Sequence, residues 1–515
     1  MPRYKPCHYG QLMLVPVSLE DQLVPGTLEH AIHHLIETRI DTSYFDEKYR
    51  NDETGRSAYA PKVLLKIVLF GYSRGMMGSR KLEQACRENV TFMALACGQK
   101  PDHSTLAGFI SAMGEERITR LFTQVLLVCE KEGLLGGTQF SLDGMKVSSN
   151  ASKEWSGTHV ELRKKKGKLE QKVKEAMQAH RAEDQRGGEA EAVRQEKRIR
   201  RLERHAAKIE RFLAENEPRR GRRGKEIQSN VTDKESGKMV SSHGVLQGYN
   251  ANALVDGKCQ VVVHAEAFGD GDDGGNMGQM LKGAKSNLKG AGCGAKALKG
   301  KEVSADTGYF SVANIEACRD EGVDAYIPDR EFRKRDPRFA EAQRHRRSVD
   351  KHKQRYKSKR RWFGPKDFRF DDRTKTLICP AGHGLYLNGR NLVIDGYKAV
   401  AYKAPKRACR NCHLRAKCLR NPNTVQRQVY LFYGKRPGSL TDAMKQKIDT
   451  PYGRAVYGRR LATVEPVFGN IRAQKRLDKF TVRGRRKVNT QWRLYCLVHN
   501  IEKLLHYGRS FARAA

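Results

Sequence analysis

Apolar positions recur at helical spacing over residues 24 to about 135. Leu28, Ile32, Leu35 and Ile36 keep that period. The stretch APKVLLKIVLFGYSRG has Pro61 near a helix start and Gly71 near its end. Ser79 and Ser104 stand where caps for RKLEQACREN and TLAGFISAM are expected. The pattern predicts a bundle of short helices, compatible with a helix-turn-helix DNA binder and equally with a plain bundle.

From residue 139 the period changes. QFSLDGMKV, GYNANALVD and QVVVHAEAF read as three strands separated by Gly and Asp turns. NMGQMLKGAKSNL reads as a helix, KEVSADTGYF as strand then turn, SVANIEACRDEG as a helix and VDAYIP as a strand. That order predicts an α/β domain with a mixed sheet flanked by helices. Two interruptions break it. Over residues 158–225, Leu162, Leu169, Val173 and Ala176, then Ile199, Leu202, Ala206, Ile209 and Leu213, keep near-heptad spacing around the turn QRGG. This predicts a basic antiparallel helical hairpin, serving either as a solvated arm or as a contact to DNA or a second protomer. The other interruption, from about 330 to 440, opens with a dense basic run that ends beside Trp362 and Phe363. Phosphate contact is its natural use. Residues 451 to 510 return to helix, and Trp492, Tyr495, Val498 and Leu505 are expected to form the apolar face of the last one.

Charge sharpens this picture. The 515 residues include 98 Lys+Arg against 58 Asp+Glu, a formal charge of +40, with a pI near 9.9. Such an excess self-repels in isolation and suggests a polyanionic partner. The N-terminus shows no signal-peptide pattern and no apolar run is long enough for a bilayer. Nucleic acid is therefore expected rather than membrane, in a cytoplasmic, nucleoid-associated protein. The twelve cysteines are then not expected to form disulfides.

Three acids stand in suggestive contexts. Asp143 interrupts an apolar strand, Asp306 follows one, and Glu465 lies among Val464, Val467 and Phe468 in a helical stretch. Singly, each acid suits a turn cap or an Arg partner. Together they suit a site for one or two Mg²⁺ ions acting on phosphate oxygens. Cys379, Cys409, Cys412 and Cys418 form a second cluster. Its single C-x2-C pair predicts a structural zinc site, the alternative being free thiols.

The strand aspartate, SADTGYFS and RRLATVEPVFGNIR…KFTVRGRRKVNTQWRLYCLVHNIEKL resemble a bacterial insertion-sequence transposase of the DDE type. YAPKVLLKIVLFGYSRGMMGSRKLEQACREN and PDHSTL resemble the InsH-like N-terminal domain, and LQGYNANALVD resembles the family's second-strand motif. The resemblance runs over about residues 25 to 507. It implies a ribonuclease-H-like catalytic core built from 136–157, 226–330 and 440–510, a helical DNA-binding domain over 1–135, the inserted hairpin at 158–225 and a basic, zinc-ribbon-like insertion at 331–439. It implies Asp143, Asp306 and Glu465 as catalytic acids holding two Mg²⁺ or Mn²⁺ ions. It also implies that Tyr457, Arg460, Arg472 and Lys475 contact DNA, while the density of the basic run itself assigns phosphate contact to Arg360 and Arg361. The family signature Tyr–Arg–Glu–Lys is met with one extra residue between Arg460 and Glu465, and with Arg472 in the lysine's place. On an uninterrupted helix Arg472 would share the face of Glu465. The implied substrates are terminal inverted repeats and target DNA, bound by a dimer or larger assembly. A structure-dependent nuclease of the same fold, or a non-catalytic DNA-binding descendant, would carry the same scaffold.

Overall fold

A computed structural model of the chain describes residues 18–48, 57–184, 189–221, 224–241, 244–271, 273–341, 362–394, 397–433 and 439–512. The chain divides into two units, Met1–Pro328 with Thr450–Ala515, and Asp329–Asp449.

The first unit opens with helices α1 (Leu28–Thr38), α2 (Pro61–Ser73), α3 (Ser79–Glu88), α4 (Val90–Leu95) and α5 (His103–Lys131). Thr27 caps α1 by accepting from His30 N. Helix α2 is buried continuously from Val63 to Tyr72, so it is the core of the bundle rather than an amphipathic face. The cap of α5 is Asp102, whose carboxylate accepts from the amides of Ser104 and Thr105 at 2.8 and 2.9 Å. Ser104 is thereby inside the helix and does not cap it. Ser79 likewise follows the extended Gly78, and no side chain caps α3.

The central sheet contains β1 (Gln139–Ser148). Two packed helices follow, α6 (His159–Asp184) and α7 (Glu189–Glu215), tied by Lys166–Glu210 at 2.6 Å and by a cluster of Leu162, Ile209, Phe212 and Val231. The sheet resumes with β2 (Gly237–Ser241), β3 (Gly244–Asp256) and β4 (Val262–Phe268). Helix α8 (Met277–Gly290), β5 (Glu302–Ala305), α9 (Val312–Asp320) and β6 (Asp324–Tyr326) complete it. The order is β2-β3-β1-β5-β6, with β4 also on β3. Strand β3 is antiparallel to β1, β2 and β4, whereas β1, β5 and β6 are parallel.

Two later helices, α11 (Pro451–Gly469) and α12 (Arg485–Tyr507), belong to this unit; α10 (Leu440–Asp449) belongs to the other. Helix α12 is buried on every side from Val488 to Ile501. Trp492, Tyr495 and Val498 are fully buried, but Leu504 rather than Leu505 continues that row. Its polar residues have a definite task. Asn500 bonds both the N–H and the C=O of Val262, Asn489 accepts from Ala267 N, and Arg493 donates to Ala265 O. Side chains of a helix thus satisfy backbone groups of β4 that no further strand pairs. Inside α11, Pro466 has no N–H to give Ala462 O, and Gln260 Nε2 donates to that carbonyl at 2.9 Å instead.

The second unit holds an antiparallel sheet of β7 (Arg369–Asp371), β8 (Thr376–Ile378), β9 (Gly384–Ile394), β10 (Tyr397–Lys403) and β11 (Gln428–Tyr433), paired in chain order. Phe368, Leu377, Leu385, Tyr402, Ala404 and Val429 form its core. Among the described residues no helix is long and apolar enough to cross a membrane.

Candidate active site

The last parallel pair between β1 and β5 is Leu142 with Ala305. Asp143 and Asp306 therefore follow side by side where two adjacent strands part. Asp306 caps the 3₁₀ turn Thr307–Tyr309, its carboxylate accepting from Gly308 N at 2.9 Å. Asp143 accepts from Gly144 N at 2.8 Å and from Arg460 Nη1 at 2.5 Å. Burial pushes the Asp143 carboxyl above its ordinary range; Arg460 opposes the shift and Asp306 adds to it.

Arg460 reaches Asp143 from α11, and its guanidinium carbon lies 5.5 Å from the Tyr457 ring centre. Its side chain is 9% exposed. Glu465 is exposed and, among the described residues, makes no side-chain hydrogen bond or ion pair. It stands five residues past Arg460, about 140° round an ideal helix. The structure thus brings Asp143, Asp306 and Arg460 together and does not join Glu465 to them. Among the described residues, no group of three or more carboxylate, histidine or cysteine side chains is placed to hold a metal ion.

Residues 470–474 form a π turn after α11. The wider turn breaks the α period, so Arg472 does not repeat the face of Glu465. It lines a groove of about 660 Å³ with Gly144, Lys146, Asn250, Asp273 and Asp306. Lys475, expected to contact DNA, is fully buried and bonds Glu502 at 2.6 Å. That expectation is corrected: the amine closes the π turn onto α12. Arg360 and Arg361 lie outside the described residues.

Asp273, Asn250, Asn252 and Tyr309 were not singled out from the sequence. Asn250 Nδ2 donates to Asp273 Oδ1, and Asn252 Nδ2 donates to the Tyr309 hydroxyl at 2.7 Å. Burial pushes Asp273 up to about 6, and Asp306 and Asp143 add to the shift. The buried Tyr309 phenol is raised by burial and then by Asp273, Asp143 and Asp306 in turn. The available signal was the pair of asparagines on one face of a strand predicted to be buried, since buried amides need partners.

In the second unit, Cys379, Cys409, Cys412 and Cys418 line a single cavity of about 30 Å³. His383 N donates to Cys379 Sγ at 3.3 Å. Burial raises the Cys418 thiol; Arg427 lowers it, and the other three thiols raise it further.

Residues 378–505 match a family model described as "Transposase DDE domain", and residues 17–112 match one described as "Transposase domain (DUF772)". The first match contains Glu465 and the four cysteines but neither Asp143 nor Asp306. No curated protein matches the chain.

Proposed function

From a chain that carries two transposase domains, consistent with an insertion-sequence DDE transposase, we propose that Asp143, Asp306 and Glu465 serve divalent-cation-dependent cutting and joining of element ends on a ribonuclease-H-like core. The observation that carries this reading is the register that leaves Asp143 and Asp306 adjacent where the parallel pairing of their strands ends. The strand order agrees with it: three antiparallel neighbours, then two parallel ones.

The residues suit a hard cation. Asp143 and Asp306 present carboxylate oxygens from adjacent strands, the donors such an ion takes. Asp143 and Asp306 would hold the ion, which when bound polarises phosphate oxygens and makes water a better nucleophile. Arg460 favours the charged form of Asp143 and so opposes the cost of burial. Arg472, on the groove wall, would grip a phosphate. In the first step water attacks a phosphodiester at the element end and releases a 3′-hydroxyl; in the second that hydroxyl attacks a phosphodiester of target DNA, forming a new P–O bond and releasing the target strand's 3′-oxygen as a hydroxyl. The basic composition suits duplex substrates, and a dimer or larger assembly would gather two ends.

The test uses the full chain, a duplex carrying an element end, a target duplex and Mg²⁺. Cleaved and joined products are expected, with both reduced at least tenfold in Glu465→Gln. Cleavage without joining would instead favour a nuclease, and neither product would refute the reading.

We further propose that the four thiols, which are not arrayed as a ready ligand set but line one cavity, close on one structural zinc when it is bound. Metal analysis is expected to find one zinc per chain. Chelation or Cys412→Ser should unfold the second unit at a lower temperature; unchanged melting and no zinc would reject this.

A further inference from the structure

We propose that the exposed face of α7 is a track for the DNA backbone, continuous with the groove beside Asp306. This rests on the reading above and names a surface that holds the duplex outside the active site. Lys197, Arg201, Arg204, Lys208 and Arg211 recur every three or four residues, and all five are exposed. On a helix they form one stripe, opposite the buried Ile199, Ala206 and Ile209. Among the described residues none of the five has a carboxylate partner. On the same hairpin Lys166 pairs with Glu210, and Arg200 with Glu196. A merely solvated helix face is laced with such pairs; this stripe is not.

The base of the stripe gathers cations from three segments. Lys208 Nζ of α7 and Lys165 Nζ of α6 each lie 5.1 Å from the centre of the Trp155 ring, and the His205 ring meets it edge-on at 4.9 Å. An aromatic face places ammonium groups without neutralising them. Arg483, just before α12, is the third source: its Nε donates to Asn150 O at 2.7 Å. Burial and then the Arg483 charge lower the Lys208 amine. Burial, followed by Arg201, Lys208, Arg204 and Lys165, lowers the His205 imidazole. Like charges crowded in this way are unfavourable until an anion arrives.

The same wall leads back to the acids. Ser148, five residues after Asp143 and about 17 Å further along β1, lines the groove with Asp306, Lys146, Arg472 and Asp478. Phe480 N donates to Ser148 O at 2.8 Å, and Asn150 Nδ2 to Thr481 O at 3.0 Å. The exposed Lys479 bridges to Ser148 between groove and stripe. A duplex carries one charge per ~1.7 Å, so a backbone leaving the groove passes onto cations that nothing else compensates. A second copy of the chain, itself at +40, would be repelled by this face.

Binding to a duplex of arbitrary sequence, followed against salt without divalent ions, tests the track apart from cutting. In the full chain, Arg201→Gln, Arg204→Gln and Lys208→Gln combined should make the slope of log affinity on log salt shallower by about three. If that variant does not fold, Lys197→Gln with Arg211→Gln decides, with a slope shallower by about two. Lys282→Gln, Lys289→Gln and Lys296→Gln remove equal charge on and after α8, where the side chains are also exposed, and should leave the slope unchanged. A wild-type slope in the α7 variants, or an equal loss in the α8 variant, overturns the track. A shallower slope confined to α7, in a chain that neither cuts nor joins, would support the track and refute the proposed chemistry alone.

Discussion

Asp143→Asn and Asp306→Asn each reduce cleavage and joining of element-end DNA by at least about a thousandfold, corresponding to the several kcal/mol a polarising ion contributes to such a transition state. The expectation follows from position. Both residues stand where the parallel pairing of neighbouring strands ends, so neither can be replaced by a residue from elsewhere without moving the sheet. Folding should survive the change at Asp143. Burial outweighs Arg460 and holds that carboxyl above its ordinary range, so an amide of the same shape removes a charge that folding disfavours. The amide oxygen still accepts from Arg460. Melting temperature and duplex affinity should therefore stay near wild type while product formation disappears. Retained cleavage in either variant, with the protein folded and bound to DNA, would remove that residue from the chemistry.

The second large effect concerns stability. Glu502→Ala leaves the fully buried Lys475 ammonium with only Asn470 as a partner. Breaking a buried pair from one side costs about 3 to 5 kcal/mol, because the remaining charge is neither solvated nor compensated. Glu502 is itself 17% exposed, which favours the lower end of that range. Burial already lowers the Lys475 amine pKa, and Glu502 opposes that shift. The double change Lys475→Met with Glu502→Leu should recover most of the loss. Urea unfolding measures all three variants. The same residue separates a structural role from a DNA-contacting one. Lys475→Ala should lower stability and leave the salt dependence of DNA binding unchanged. A salt slope reduced by about one, with stability intact, would restore Lys475 to the DNA surface.

Local periodicity carried much of the fold. The strands around Asp143, Asn252 and His264 and the helices at 159–184 and 189–215 were readable because each alternates or repeats over several turns. The five strands β7 to β11 were not read, because a basic run and four thiols drew attention from the alternation in GLYLNGRNLVI and QVYLFY. Helix boundaries went astray by short distances. Asp102 caps α5 in place of Ser104, since a carboxylate two residues earlier reaches the same free amides. Asp143 and Asp306 were legible because one acid interrupts an apolar strand and the other directly follows one. Lys475 could not be judged from sequence, because its burial depends on Glu502 and a π turn that breaks the helical period. Asp273 sits in a glycine- and aspartate-rich turn that reads as an ordinary connection. Only the fold shows Asn250 behind it and Asp306 beside it.

Iron-mediated hydroxyl-radical cleavage of the protein backbone addresses the central claim most directly. Fe²⁺ replacing Mg²⁺ in a shared site cuts the chain near its ligands, whatever the catalytic rate. Fragments ending close to residues 143 and 306, suppressed by excess Mg²⁺ and absent from Asp143→Asn and Asp306→Asn, are the predicted result. Cuts confined to other segments, or cuts at 143 and 306 that persist in those variants, would contradict an ion held between the two strands.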